Sequence, residues 1–503
     1  MDVRLEPSTG GKKAYCRHNA CDRLYHRTQF IPKSGRKVDH SINCSLSFPV
    51  SSRHGACRNM NKHYDFIIHS GRVVTQGGIV EVDIGVIGGK VSALGDLSTA
   101  SAPERFDADG LHVLPGVIDT QVHFREPGLE HKEDLITGTA GAVLGGVTCI
   151  FEMPNTNPST LGEEDLADKL ARACGRAWCD HAFFIGAAAE NAGDLARLEQ
   201  LPGCAGIKVF MGSSTGSLLV EDDTTLRAVL ENGSRRIAIH SEDESRLCER
   251  RHLVEKKGAT VHLHPQWRDV ETSLLSTRRL LVLARETGRR VHILHVTTAE
   301  EMEVLGVHRD IASVEVTPQH LTLSAPDCYD RLGTLAQMNP PIREARHRRA
   351  LWQAVDEGIV DVVGSDHAPH TLEEKAQSYP ASPSGMTGVQ TLLPLLLDHM
   401  NAGRLSLKRL VDLTSAGAAR IYNMEGKGHI APGFDADFTL VDLKAERVIS
   451  NDWIASKVCW TPFNGMTVRG WAVATIIRGC VVMREDEILG DPCGKPVSFV
   501  EGP

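Results

Sequence analysis

The sequence predicts an α/β fold: a (β/α)8, TIM-like barrel joined to a small discontinuous β-sandwich domain. Three features carry that expectation. Eight short apolar, β-branched-rich runs alternate with helical stretches over about 300 residues, which suits a closed barrel better than an open sheet. The text on both flanks is strand-like and broken by glycines. The length of 503 residues leaves room for a large barrel with additions.

Each element has a local reason. After Met60 the runs Tyr64-Asp-Phe-Ile-Ile-His69, Gly71-Arg-Val-Val-Thr75 and Val80-Glu-Val-Asp-Ile-Gly-Val-Ile87 alternate as short strands do. The buried strands of the barrel are expected at 111–118, 147–153, 182–187, 206–210, 236–240, 291–295, 312–316 and 360–364. Helical stretches at 163–174 and 271–287 lie between them. Beyond Gly426 strand text returns around Phe438, Ala472 and Cys480, ready to pair with the first flank. The expected units are therefore 60–112 and 426–490 for the small β domain, 113–425 for the barrel, and 491–503 as a tail. Residues 1–59 hold eleven Lys and Arg against four Asp and Glu, while the whole chain carries −9. With no core pattern, this basic segment reads as a disordered or non-native extension, with a targeting segment as the other reading.

Composition excludes several functions. Hydrophobic residues at 41% and charged residues at 24% are ordinary for a globular chain. No apolar run approaches the ~18 residues of a membrane span. An acidic chain with 5% aromatics is a poor nucleic-acid binder, because phosphate contact needs a basic surface. Thirteen scattered cysteines without a CxxC pair read as free thiols, Cys149 and Cys204 as core residues. The expectation is a cytoplasmic enzyme acting on a small molecule, without nucleic acid or membrane.

The chemistry sits where barrel strands end. Those ends read Gln121-Val-His123-Phe-Arg125, Met153-Pro-Asn155, Lys208, His240, His295 and Asp366-His-Ala-Pro-His370. A lone histidine at a strand end is more often packing than chemistry. Three histidines and Asp366 closing different strands instead make a nitrogen and oxygen donor set suited to Zn2+. Lys208 interrupts the apolar run Gly206-Ile-Lys-Val-Phe210. It is either a buried lysine paired with a carboxylate or a neutral amine that adds CO2, whose carbamate then bridges two cations. A hydroxide held between those cations would attack a carbonyl, with Asp366 taking its proton. Arg125 suits a substrate carboxylate, and Asn155 in Pro-Asn-Thr-Asn-Pro is equally a turn residue.

From about Tyr64 to Arg484 the chain resembles a class I dihydroorotase of the amidohydrolase superfamily. The carrying motifs are Pro115-Gly-Val-Ile-Asp119, His123-Phe-Arg-Glu-Pro-Gly128, Met153-Pro-Asn-Thr-Asn-Pro158, Gly206-Ile-Lys-Val-Phe210, Ile239-His-Ser-Glu-Asp243, Asn339-Pro-Pro-Ile-Arg343 and Ser365-Asp-His-Ala-Pro-His370. The resemblance implies interconversion of dihydroorotate and N-carbamoyl-aspartate in pyrimidine synthesis. It implies metal ligands at His123, carboxylated Lys208, His240, His295 and Asp366, the last also a proton shuttle. Arg125, Asn155 and His370 would hold the substrate carboxylate and Asn339 the ring. It further implies one or two zinc ions per chain, a homo-oligomer, and a transcarbamoylase as candidate partner. Two positions depart from the pattern: Gln121 stands where the family has histidine, and Gln319 where a second histidine is common. Gln121 would be a weaker ligand. A hydantoinase- or allantoinase-like hydrolase and a catalytically silent scaffold are the alternative readings.

Overall fold

The computed structural model describes residues 63–213 and 218–500. The expectation for residues 1–59 lies outside the described residues.

Eight parallel strands follow one another in chain order: Val117–Val122, Val147–Glu152, Asp180–Gly186, Cys204–Phe210, Ile237–His240, Val291–Ile293, Ala312–Val316 and Val362–Val363. Every residue in them is buried, as expected where helices cover the outside. Val122 bridges His367, and the His123 N–H donates to His367 O at 2.7 Å, so the last strand meets the first. The loops that leave the strands end in side chains that cap the next helix. Asp134, Asp222, Asp269 and Thr298 each accept from the backbone N–H three residues on. The helices Glu163–Ala173 and Val270–Thr287 fall where their periodicity predicts them.

The small domain draws on both flanks. Its seven-stranded sheet runs Glu487–Ile488, Cys480–Arg484, Thr467–Ile477, Phe438–Val448, His112–Pro115, Arg72–Thr75, Gly78–Glu81. A four-stranded sheet of Lys90–Gly95, Asp83–Ile87, Phe66–His69 and Glu104–Asp107 faces it. Phe66, Ile68 and Val86 from one sheet pack with Phe438, Leu440 and Ile476 from the other, which makes the sandwich core.

Two expectations need correction. The run 111–118 is not one strand: it divides at Gly116, with His112–Pro115 in the sandwich and Val117–Val122 in the barrel. The Gly116 N–H donates to Asp437 O at 2.9 Å, and any Cβ there would collide with Thr148 and Asp437. Only glycine fits where the chain threads between the two sheets. Residues 491–500 are not a free tail either. Lys495 and Val497 exchange backbone hydrogen bonds with His181, both 3.0 Å, and Phe499 packs against Phe151, because the barrel floor is apolar and needs a cover.

Cys149 and Cys204 are free thiols and are buried as expected. Among the described residues no helix is long and apolar enough to cross a membrane.

Candidate active site

The first barrel strand delivers Gln121 and, just past its end, His123 and Arg125. The second delivers Asn155, the fourth Lys208 and Phe210, the fifth His240, the sixth His295 and the eighth Asp366. Gln121, His123, Arg125, Asn155, His240, His295, Asn339 and Asp366 line one cavity of about 20 Å³, room for an ion or a water molecule. Arg125, His295 and Asp366 have positive φ values of 65°, 37° and 47°. Non-glycine residues seldom hold such backbones, and they concentrate at functional sites.

His123 and Asp366 form one side. His123 Nε2 lies 3.2 Å from Asp366 Oδ1, and its Nδ1 lies 2.7 Å from Asn155 Oδ1. The amide oxygen can only accept, so Nδ1 carries the hydrogen and Nε2 the lone pair. Gln121 Nε2 donates to Asp366 Oδ1 at 3.1 Å, while its buried Oε1 has no partner.

His240 and His295 form the other side. Their Nδ1 and Nε2 atoms stand 3.1 Å apart. Two nitrogens that both bind a tetrahedral zinc at 2.0–2.1 Å are about 3.3 Å apart. His240 Nε2 donates to Glu242 Oε2 at 2.8 Å, and Arg268 clamps the same carboxylate at 2.6 Å. That leaves Nδ1 of His240 with its lone pair toward His295, the arrangement by which a carboxylate orients a metal-binding imidazole. Burial alone would raise Glu242, but Arg268 and His240 hold it well below the usual carboxylate range. Burial pushes His123 and His240 below the usual imidazole value and His295 far below it, so all three favour the neutral form that binds metals.

Among the described residues Lys208 makes no hydrogen bond to a carboxylate, although Asp366 and Glu315 act on its charge. Its Nζ is buried without a hydrogen bond, 4.4 Å over the Phe210 ring, and burial lowers its pKa to about 7. Buried amines and amides are rarely left unsatisfied. Here Gln121 Oε1 and His295 Nδ1 are orphaned on residues that line one cavity of neutral imidazoles and a carboxylate, and Lys208 Nζ is orphaned over Phe210, which also lines it. These donors fit a divalent cation. A second acidic cluster, Asp180, Asp435 and Asp437, does not need one: Lys427 Nζ lies within 2.9 Å of all three carboxylates.

His370 stands behind Arg125, 3.4 Å from Nη2, and outside the cavity lining. Its Nδ1 faces Lys132 Nζ at 3.2 Å and its Nε2 meets Ser384 O at 3.0 Å, so both ring nitrogens are taken. Arg125 itself is buried, and burial lowers its pKa to about 10. Gln319 is not at the cavity; its Nε2 donates to Ser365 O at 2.7 Å.

Sequence reasoning passed over Glu242, Arg268, His264 and Lys132. Glu242 was visible as the carboxylate two residues after His240. Arg268 and His264 lie in the long connection after the fifth strand, where no period or motif marks them.

A model of the amidohydrolase family matches residues 112–482. The chain is 37% identical over 412 residues to a dihydroorotase of Halobacterium salinarum, covering 81% of this chain and 94% of that protein. An allantoinase of Rubrobacter xylanophilus is 36% identical over 454 residues, covering 86% and 97%. Among solved structures, an L-hydantoinase (dihydropyrimidinase) from Arthrobacter aurescens superposes with a TM-score of 0.83 at 29% identity, covering 86% of this chain and all of that one. With a barrel, a histidine-rich cavity at its strand ends and a family match across most of its length, the chain belongs to the amidohydrolase family.

Proposed function

We propose that this chain is a dihydroorotase, a cyclic amide hydrolase that interconverts (S)-dihydroorotate and N-carbamoyl-L-aspartate. The observation that carries the reading is the buried guanidinium of Arg125 in the same cavity as the neutral histidines and Asp366. Dihydroorotate presents a carboxylate beside a cyclic imide, and a buried Arg fork is the group that selects a carboxylate.

Zinc would be held by carboxylated Lys208 with His240 and His295, and by His123 and Asp366 with Gln121 Oε1 as a weak further donor. Bound there it supplies a Lewis acid and lowers the pKa of water. The protein's own groups do the rest. Arg125, with Asn155 and His370, holds the substrate carboxylate, and Lys132 stands against His370. Asn155 keeps His123 in one tautomer through the 2.7 Å contact. Asp366, whose Oδ1 accepts from Gln121, keeps Oδ2 to take a proton from the attacking water and return it to the departing ring nitrogen. Asn339 meets the ring. A role in pyrimidine synthesis in the cytoplasm, self-association and a transcarbamoylase partner belong to the same proposal.

The similar allantoinase supports a second reading, because allantoin is also a cyclic ureide. A panel of dihydroorotate, hydantoin and allantoin on zinc-loaded protein separates the two. The expected result is the highest kcat/KM on dihydroorotate. A preference for allantoin, which lacks the carboxylate, would overturn the assignment, and turnover of none would favour a silent scaffold.

A further inference from the structure

Asn339 reaches the cavity, but its orientation is set from behind. His264 lies fully buried in the short helix His264–Trp267 and does not line the cavity. Its Nε2 is 3.0 Å from Met338 O and 3.0 Å from Asn339 Oδ1, and its Nδ1 is 3.2 Å from Tyr379 OH. A backbone carbonyl only accepts, so Nε2 carries the hydrogen. Nδ1 is then a lone pair that accepts from the Tyr379 hydroxyl. The proton pattern of the whole chain of contacts thus follows from one backbone oxygen.

The consequence falls on Asn339. The two ends of a carboxamide have nearly the same shape, and only a partner decides which faces where. Because His264 offers N–H, Asn339 turns Oδ1 toward it, and Nδ2 is the amide end left for the cavity that the residue lines. A donor on that wall suits a ring carbonyl. An acceptor there would suit a ring N–H instead.

We infer that His264, held by Tyr379, is a positioning residue that makes Asn339 present its amide N–H2 to the substrate and so selects a cyclic amide with a carbonyl at that edge. The inference rests on reading the cavity as the substrate site, but it applies to whichever cyclic amide is turned over there. Burial pushes the His264 pKa down to about 3, with the nearby Arg268 acting in the same direction. The neutral ring is then kept at every pH where the enzyme would work.

The test uses the full zinc-loaded chain and the variants His264→Ala, His264→Gln, Tyr379→Phe, Asn339→Ala and the double variant His264→Ala with Asn339→Ala. Losing one oriented hydrogen bond to substrate should raise KM roughly tenfold in His264→Ala with little change in kcat. His264→Gln keeps an N–H donor and should recover most of that loss. The double variant should be no worse than Asn339→Ala alone, since His264 acts only through Asn339. Fully additive losses, or an unchanged KM in His264→Ala, overturn the inference. Should His264→Ala fail to fold, Tyr379→Phe and long-range nitrogen NMR of the unaltered chain still decide: hydrogen on Nε2 at neutral pH is expected, and hydrogen on Nδ1 or a protonated ring refutes it. An unaltered chain that turns over no cyclic amide sinks the proposed function, while the NMR result still judges the arrangement at His264.

Discussion

Arg125, His295 and Asp366 hold left-handed backbones, each at a cost on the order of 1–3 kcal/mol. The cost falls where three strand ends must turn their side chains to one point. Arg125 gives the sharpest prediction at this scale. Lysine keeps its charge but not its two parallel donors, so Arg125→Lys should lose roughly 2–3 kcal/mol in kcat/KM on dihydroorotate. On dihydrouracil, which has no carboxylate, the loss should shrink; steady-state kinetics on both substrates checks this, and equal losses refute the role. Gln121 gives the second. Its Nε2 is spent on Asp366, which leaves one neutral oxygen where imidazole would bind zinc better. One tightly held ion per chain is expected after exhaustive dialysis, and Gln121→His should raise the content toward two by elemental analysis.

At the scale of elements, the motifs at the strand ends were legible because each packs its chemistry into a few consecutive residues. Gln121-Val-His123-Phe-Arg125 and Asp366-His-Ala-Pro-His370 reach one mouth because the strands that carry them are parallel neighbours across the closure. The boundary at Gly116 was not legible. An apolar run with a Pro-Gly pair reads as one strand until the second sheet is in view. Gly116→Ala should be destabilised by about 1–3 kcal/mol, since the new methyl meets Thr148 and the Asp437 side chain with nowhere to shift. A lower urea midpoint with an unchanged m-value checks it; an unchanged midpoint would show that the junction relaxes.

Across the whole molecule, barrel and sandwich are joined through charge as well as through chain. Lys427 Nζ is buried among Asp180 at the start of the third barrel strand, Asp437 just before the sandwich strand Phe438–Val448, and Asp435. Arg478 pairs with Asp180 from the sandwich side. Lys427→Met would leave these carboxylates short of a cation in a dry place, with a cost of about 3–5 kcal/mol. Denaturant unfolding followed by two probes checks both the size of the loss and whether the two units still unfold together.

The sequence alone determined the alternation of strand and helix, the flanking sheet, and the residue types that meet at the strand ends. These are short-range properties: period, turn chemistry and donor identity each span a few residues. Tertiary structure alone decided that the run 111–118 splits, that residues 491–500 cover the barrel floor, and that His370 lies against Arg125. It also decided that Glu242, Arg268, His264 and Tyr379 set the histidine tautomers and the face of Asn339. The physical reason is common to all of these. Which atom carries a hydrogen, and which side chain is satisfied, depends on partners tens to hundreds of residues away that only packing brings within 3 Å or so.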